Sequence, residues 1–137
     1  MDPISAAMKI AASGLEAQSL RVRMVSENIA NSSSLGAAPG ADPYRRKTIV
    51  FQPDFDRALG ADIVKVKKIG LDPGDFTLSY DPSHPAANAD GYVKQPNVNP
   101  LIEMTDMREA TRSYDANLNL IEQARGMAMS TLALLDR

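Results

Sequence analysis

The chain has 137 residues, one domain's worth, which argues against an enzyme with separate cofactor and substrate domains. Hydrophobic residues make up 44% but aromatics only 5%, with no Trp, a composition suited to helix packing through Ala, Leu, Ile and Met. Fifteen basic against 17 acidic residues give a net charge of −2, so there is no electrostatic case for nucleic acid, and the lack of Cys excludes disulfides, thiolate metal sites and Cys nucleophiles.

No stretch approaches the ~18 consecutive apolar residues that a membrane helix needs. Asp2 stands where a signal peptide carries positive charge, and Lys9 and Glu16 interrupt any apolar core. Work outside the cytoplasm would therefore require a route without a cleaved signal.

Asp2-Pro3 reads as a helix start, a capping carboxylate followed by proline at the first helical position. Ile4, Met8, Ala11, Leu15, Val22, Val25 and Ile29 then recur at 3-4 spacing, with Gln18 the polar member of the seam. Ile10, Ala17, Leu20 and Met24 form a second stripe on the far side. The spacing predicts a helix over 3–31, ended by Asn31-Ser32-Ser33-Ser34-Leu35-Gly36.

After a loop over 35–43 the periodicity changes. Residues 44–51, 63–69 and 76–80 read as strands and 91–94 as a short fourth, with Asp72-Pro73-Gly74-Asp75 as a turn and 81–90 as an exposed loop. Some sixty residues bury too little surface to be comfortable alone. This region is expected to lean on the helices or on neighbouring subunits.

Asn99-Pro100 repeats the cap-plus-proline start, and the expected helix occupies 99–137. Its main seam is Met104, Met107, Thr111, Tyr114, Leu118, Ile121, Ala128, Leu132 and Leu135; Arg125 breaks it and predicts a local register shift. Leu120, Met127 and Leu134 make a second stripe. One partner cannot satisfy a helix that is apolar on two sides, so several chains are expected around it. The fold class is therefore α+β. Long terminal helices (1–34 and 99–137) pair as a coiled-coil-like bundle around a small β-rich insert (35–98). The large apolar residues of these seams and stripes, with Ala and Thr set aside, are the candidate assembly interface.

Candidate chemistry is sparse. His84 is the only histidine and lacks metal-ligand spacing, and no Gly-rich phosphate loop exists. The carboxylate pairs Asp72/Asp75 and Glu103/Asp106 have simpler explanations in turn chemistry and the helix dipole. Arg45-Arg46-Lys47 and Lys65-Val66-Lys67-Lys68 read as solvated strand faces. No cofactor or metal is expected, and no catalytic set converges.

Several motifs together carry a resemblance. Ser13-Gly14-Leu15-Glu16-Ala17-Gln18, Asn28-Ile29-Ala30-Asn31 and Tyr44-Arg45-Arg46 resemble the N-terminal signature of bacterial flagellar axial proteins. Gly91 to Asn99 (with Asn97 and Val98), Glu103-Met104-Thr105-Asp106-Met107 and Arg112-Ser113-Tyr114-Asp115-Ala116-Asn117-Leu118 are similar to the flagellar basal-body rod protein family, within it the proximal rod branch. The likeness spans Ile4 to Leu135. Ser33-Ser34 stand where the family usually has Thr, and the 35–43 loop separates the motif from Tyr44.

The resemblance implies a structural subunit whose terminal helices pack into concentric layers of a helical tube that crosses the periplasm and transmits torque. It implies export through the flagellar type III apparatus. The implied partners are copies of itself and other rod proteins, the MS-ring/export-gate junction and the distal rod, with no nucleic acid or small-molecule substrate. Independently of it, the two-stripe helices predict termini that order only when partners arrive. A stand-alone helical adaptor or export chaperone, with both helices already protected, is the alternative. A cell-wall hydrolase would need a protected carboxylate or His in a pocket.

Overall fold

The structure, a computed structural model, describes residues 2–137. Two helices enclose four strands: α1 (Pro3–Ala30), β1 (Lys47–Asp56), β2 (Ala61–Leu71), β3 (Thr77–Tyr80), β4 (Tyr92–Gln95) and α2 (Pro100–Leu135). The class is α+β, two terminal helices packed together with a small β insert between them.

Both helix starts are capped as their sequences require. Asp2 Oδ2 accepts from the Ser5 amide at 3.2 Å, and Asn99 Oδ1 from the Leu101 amide at 3.1 Å. At the far end of α1 the Asn31 side-chain amide donates to the Glu27 carbonyl at 2.9 Å. β1 and β2 form one two-stranded sheet, joined by a turn in which Asp56 Oδ1 accepts from the Ala58 and Leu59 amides. β3 and β4 form another, antiparallel, with Leu78 opposite Lys94 and Tyr80 opposite Tyr92. β1 starts three residues later than residue 44, because Tyr44, Arg45 and Arg46 are held by side-chain contacts instead, and it runs on through Pro53. A two-stranded sheet has free edges, where proline forfeits no ladder bond.

By compactness the chain divides into two units, and each contains a length of both helices. One comprises the chain up to Val22, with Val50–Lys68 and Arg108–Arg137; the other comprises Arg23–Ile49 and Ile69–Met107.

In the first unit the helices face each other through small and polar residues. Ala11, Gly14 and Ala17 on α1, and Ala110 and Ala124 on α2, are buried. At Gly14 a Cβ would stand 2.7 Å from Asn117 Nδ2. Arg21 reaches across to Glu109 at 3.4 Å. The inward face shares Ala11 with the expected α1 seam but takes Gly14 where 3-4 spacing alone selects Leu15. On α2 it takes Ala110 for Thr111, Asn117 for Leu118 and Ala124 for Arg125. Helices this close have room only for small side chains, which turns the bulky neighbours aside. The expected break at Arg125 disappears, since Ala124 holds the inward position.

Gly14 gives a direct test. Alanine is worth about 1 kcal/mol over glycine inside a helix, yet its methyl would displace the Asn117 amide, and overpacking costs roughly 1–3 kcal/mol. Gly14→Ala is expected to lower the urea midpoint, and pairing it with Asn117→Ala to restore most of the loss.

In the first unit the hairpin leans on α1 through one shared hydroxyl. Ser13 Oγ donates to the Ile10 carbonyl at 2.7 Å and accepts from the Val64 amide at 3.2 Å.

Candidate functional site: a polar hub and outward apolar faces

The second unit is built around a buried amide. Asn28, wholly buried on α1, uses every hydrogen-bonding position it has. Its oxygen accepts from the Tyr44 hydroxyl at 2.8 Å and the Lys47 amide at 2.9 Å. Its NH2 donates to the Lys47 carbonyl at 3.0 Å and to Glu103 Oε2 at 3.3 Å. The side chain thus pairs with Lys47 at the start of β1 as a strand neighbour would.

Glu103, in the first turn of α2, is also fully buried. Arg46 Nε donates to its other oxygen, and Arg46 Nη1 lies 3.4 Å from Asp72 Oδ2. Asn97 ties the turn to the same point. Its oxygen accepts from the Arg46 amide at 2.7 Å, and its NH2 donates to the carbonyls of Asp72 (3.2 Å) and Gly74 (3.1 Å). Arg45 donates to those two carbonyls at 2.8 and 2.9 Å, with its guanidinium 4.2 Å from the centre of the Phe76 ring.

These contacts correct two expectations. Arg45-Arg46-Lys47 is no solvated strand face: Arg45 and Arg46 are in the network, and Lys47 Nζ bonds Glu27 at 2.8 Å. Nor does the helix dipole account for Glu103, which is a buried anion held by an arginine and an amide. Sequence gave no sign of this, because a glutamate in a first turn normally faces water.

Burial pulls the Arg46 guanidinium down, but the hydrogen bonds and charges of Glu103 and Asp72 outweigh it and hold the group above its ordinary range. Burial pushes the Tyr44 phenol up. The hydrogen bond from Lys47, then its charge, lowers Glu27, and Glu27 raises Lys47 in the same way. His84 is a turn residue, its Nδ1 accepting from the Ala86 amide at 3.0 Å. No group of three His, Cys, Asp or Glu side chains able to hold a metal exists among the described residues. The hub's chemistry is adhesive: donors and acceptors meet in pairs, with no nucleophile beside a base.

The candidate interface residues distribute unevenly. Met24 and Val25 are buried within the chain. Ile4, Met8, Ile10, Leu15, Leu20, Val22, Ile29, Met107 and Ile121 are half-buried. Met104, Tyr114, Leu118, Leu120, Met127, Leu132, Leu134 and Leu135 are exposed. So α2 spends small residues on its own chain and keeps large apolar ones outward. Of the motif residues, Gly14, Asn28 and Glu103 are buried, and Ser13, Asn31, Tyr44, Arg45, Asn97, Val98 and Asn117 half-buried. Ala30, Arg112 and Ala116 are exposed, as are Met104 and Tyr114.

Family models match both ends of the chain: "Flagella basal body rod protein" over residues 8–37 and "Flagellar basal body rod FlgEFG protein C-terminal" over residues 89–134. Flagellar basal-body rod protein FlgC of Agrobacterium fabrum is 63% identical over 98% of this chain and 97% of its own length. The protein of that name from Bacillus subtilis is 40% identical over 93% of this chain and 95% of its own length. That from Salmonella typhimurium is 39% identical over 91% and 92%. The chain belongs to the FlgC family of flagellar basal-body rod proteins. This is a structural family, not an enzymatic one, and nothing in the comparisons favours the adaptor reading.

Within the rod-protein chain the two matched ends meet at the hub. Asn28 lies in the N-terminal match, Asn97 and Glu103 in the C-terminal one, and the Tyr44–Lys47 stretch joins them.

Proposed function

We propose that this chain is a structural subunit of the proximal rod that assembles through the outward apolar faces of α1 and α2. The observation that carries the reading is the exposure of Leu118, Leu120, Met127, Leu132, Leu134 and Leu135 on a helix whose own-chain face is small and polar. Different faces meeting different neighbours give heterologous contacts that do not close, the condition for a helical tube. Pairing in coiled-coil fashion along 3-4 seams suits such packing. The neighbours are copies of this chain and other rod proteins, the MS-ring/export-gate junction at one end and the distal rod at the other. The tube transmits torque across the periplasm, and the subunit reaches it by type III export without a cleaved signal.

Order spreads outward from the hub as partners arrive. Near Asn28 and Glu103 the helices are tied by a dense network, whereas their far ends are half-buried at the start of α1 and exposed at the end of α2. Amide hydrogen exchange on the dilute chain should show protection around 24–31 and 100–107 and fast exchange over 4–10 and 128–135. In isolated basal bodies all four stretches should be protected. Uniform protection in the dilute chain would return the stand-alone module.

A further inference from the structure

In the first unit, α2 outruns α1. Gly14 faces Asn117, so counting eleven residues back to Pro3 and eleven on along α2 brings the start of α1 opposite Ala128. Ala128 is half-buried, and every residue after it is exposed. The final turns carry Met129, Leu132, Leu134 and Leu135, which are 61–77% exposed, and end in Asp136 and Arg137. No part of α1 is long enough to cover them.

The same unit holds a cleft of matching character between α1 and β2. It measures about 270 Å³ and is lined by Ala17, Leu20, Val64 and Val66, with Glu16 and Lys65 at its edge. An apolar cavity of about 150 Å³ already admits a benzene ring, so this one has space for a branched apolar side chain. The edge charges are not equivalent. Lys65 is occupied by Asp54, whereas Glu16 is exposed with no salt bridge among the described residues. Arg137, two residues past the end of α2 and next to Asp136, is likewise exposed.

We propose that the C-terminal tip of α2 of a second copy of this chain docks in this cleft. Leu134 and its neighbours enter between Leu20 and Val66, and Arg137 pairs with Glu16 at the edge. The tip and the cleft are different surfaces of one chain, so each copy offers a tip to the next and a cleft to the one before. The inference rests on the rod reading above and adds to it a specific contact and direction.

The chain has no cysteine, so single introduced cysteines report unambiguously. Leu20→Cys and Leu134→Cys chains, differently tagged, are produced together in motile cells lacking the parental chain, and basal bodies are isolated after mild oxidation. A mixed disulfide dimer is expected, with little dimer from either variant alone. Both variants in basal bodies without the mixed dimer, or dimers from one variant alone, would overturn the docking while leaving the rod reading intact. Absence of the unaltered tagged chain from basal bodies would overturn both. Should either cysteine block incorporation, the charges decide instead. Glu16→Lys should reduce swimming and Glu16→Lys with Arg137→Glu should restore it; failure of the second change to rescue the first counts against the contact.

Discussion

Replacing Leu118 by glutamate is expected to abolish incorporation into the rod, and with it motility, while costing the free chain only about 1 kcal/mol. Leu118 is 39% exposed on the outward side of α2, beside Asn117 on the inward side. Losing the partial burial of a leucine so placed costs the free chain on the order of 1 kcal/mol. In an assembled tube the same carboxylate would be taken out of water against apolar neighbours. An unpaired buried charge is among the most costly groups a protein interface can hold. The contrast between the two readouts is the test: urea unfolding of the purified chain near that of the parent, with no variant chain in basal bodies and no swimming. Leu15→Glu on α1 should behave in the same way, though Leu15 is half-buried and its unfolding midpoint will fall somewhat. Normal swimming by both variants would rule out the apolar faces as assembly surfaces.

Arg46→Leu should produce the largest loss of intrinsic stability from a single change. It leaves the Glu103 carboxylate, wholly buried, with one amide donor from Asn28 in place of an amide and a guanidinium. Removing one partner of a buried ion pair costs about 3–5 kcal/mol. Arg46 keeps some contact with solvent, so about 3 kcal/mol is expected. Adding Glu103→Leu removes the stranded charge, and the double variant should recover a large part of the deficit. The Asn28 NH2 then loses one acceptor, which keeps recovery incomplete. Urea unfolding of the four chains forms a double-mutant cycle. Additive losses would mean that the pair does not act as a unit.

The sequence declared its helices plainly. Asn99-Pro100 and Asp2-Pro3 cap them where expected, and apolar residues at 3-4 spacing extend through both. Periodicity left open which side of each helix meets its own chain. A seam read from hydrophobicity selects Leu15 and Leu118. The structure selects Gly14 and Asn117, because backbone proximity is governed by size. That one-residue displacement is also what frees the leucines for other chains. The hub was less legible. Asn28, Tyr44, Asn97 and Glu103 were each recognisable as motif positions, but no spacing rule links residues so far apart. Arg46 and Lys47 looked like ordinary strand charges. Only the fold brings an asparagine of α1, a glutamate of α2 and the start of β1 to one place.

The hub also makes the chain sensitive to its own completeness. Asn28 and Glu103 stand 75 positions apart, and each is without solvent to replace the other. A chain cut short between residues 72 and 103 retains α1, Tyr44, Lys47 and Asp72 but has no acceptor for the second Asn28 N–H and no buried carboxylate for Arg46. The bonds from Asn28 to Tyr44 and Lys47 remain, but the network has lost its α2 side, and what is left is more open to proteases. Chains ending before Glu103 are expected to be cleaved faster by added protease than the full chain, so completeness of the chain and persistence of its fold are linked through one buried contact.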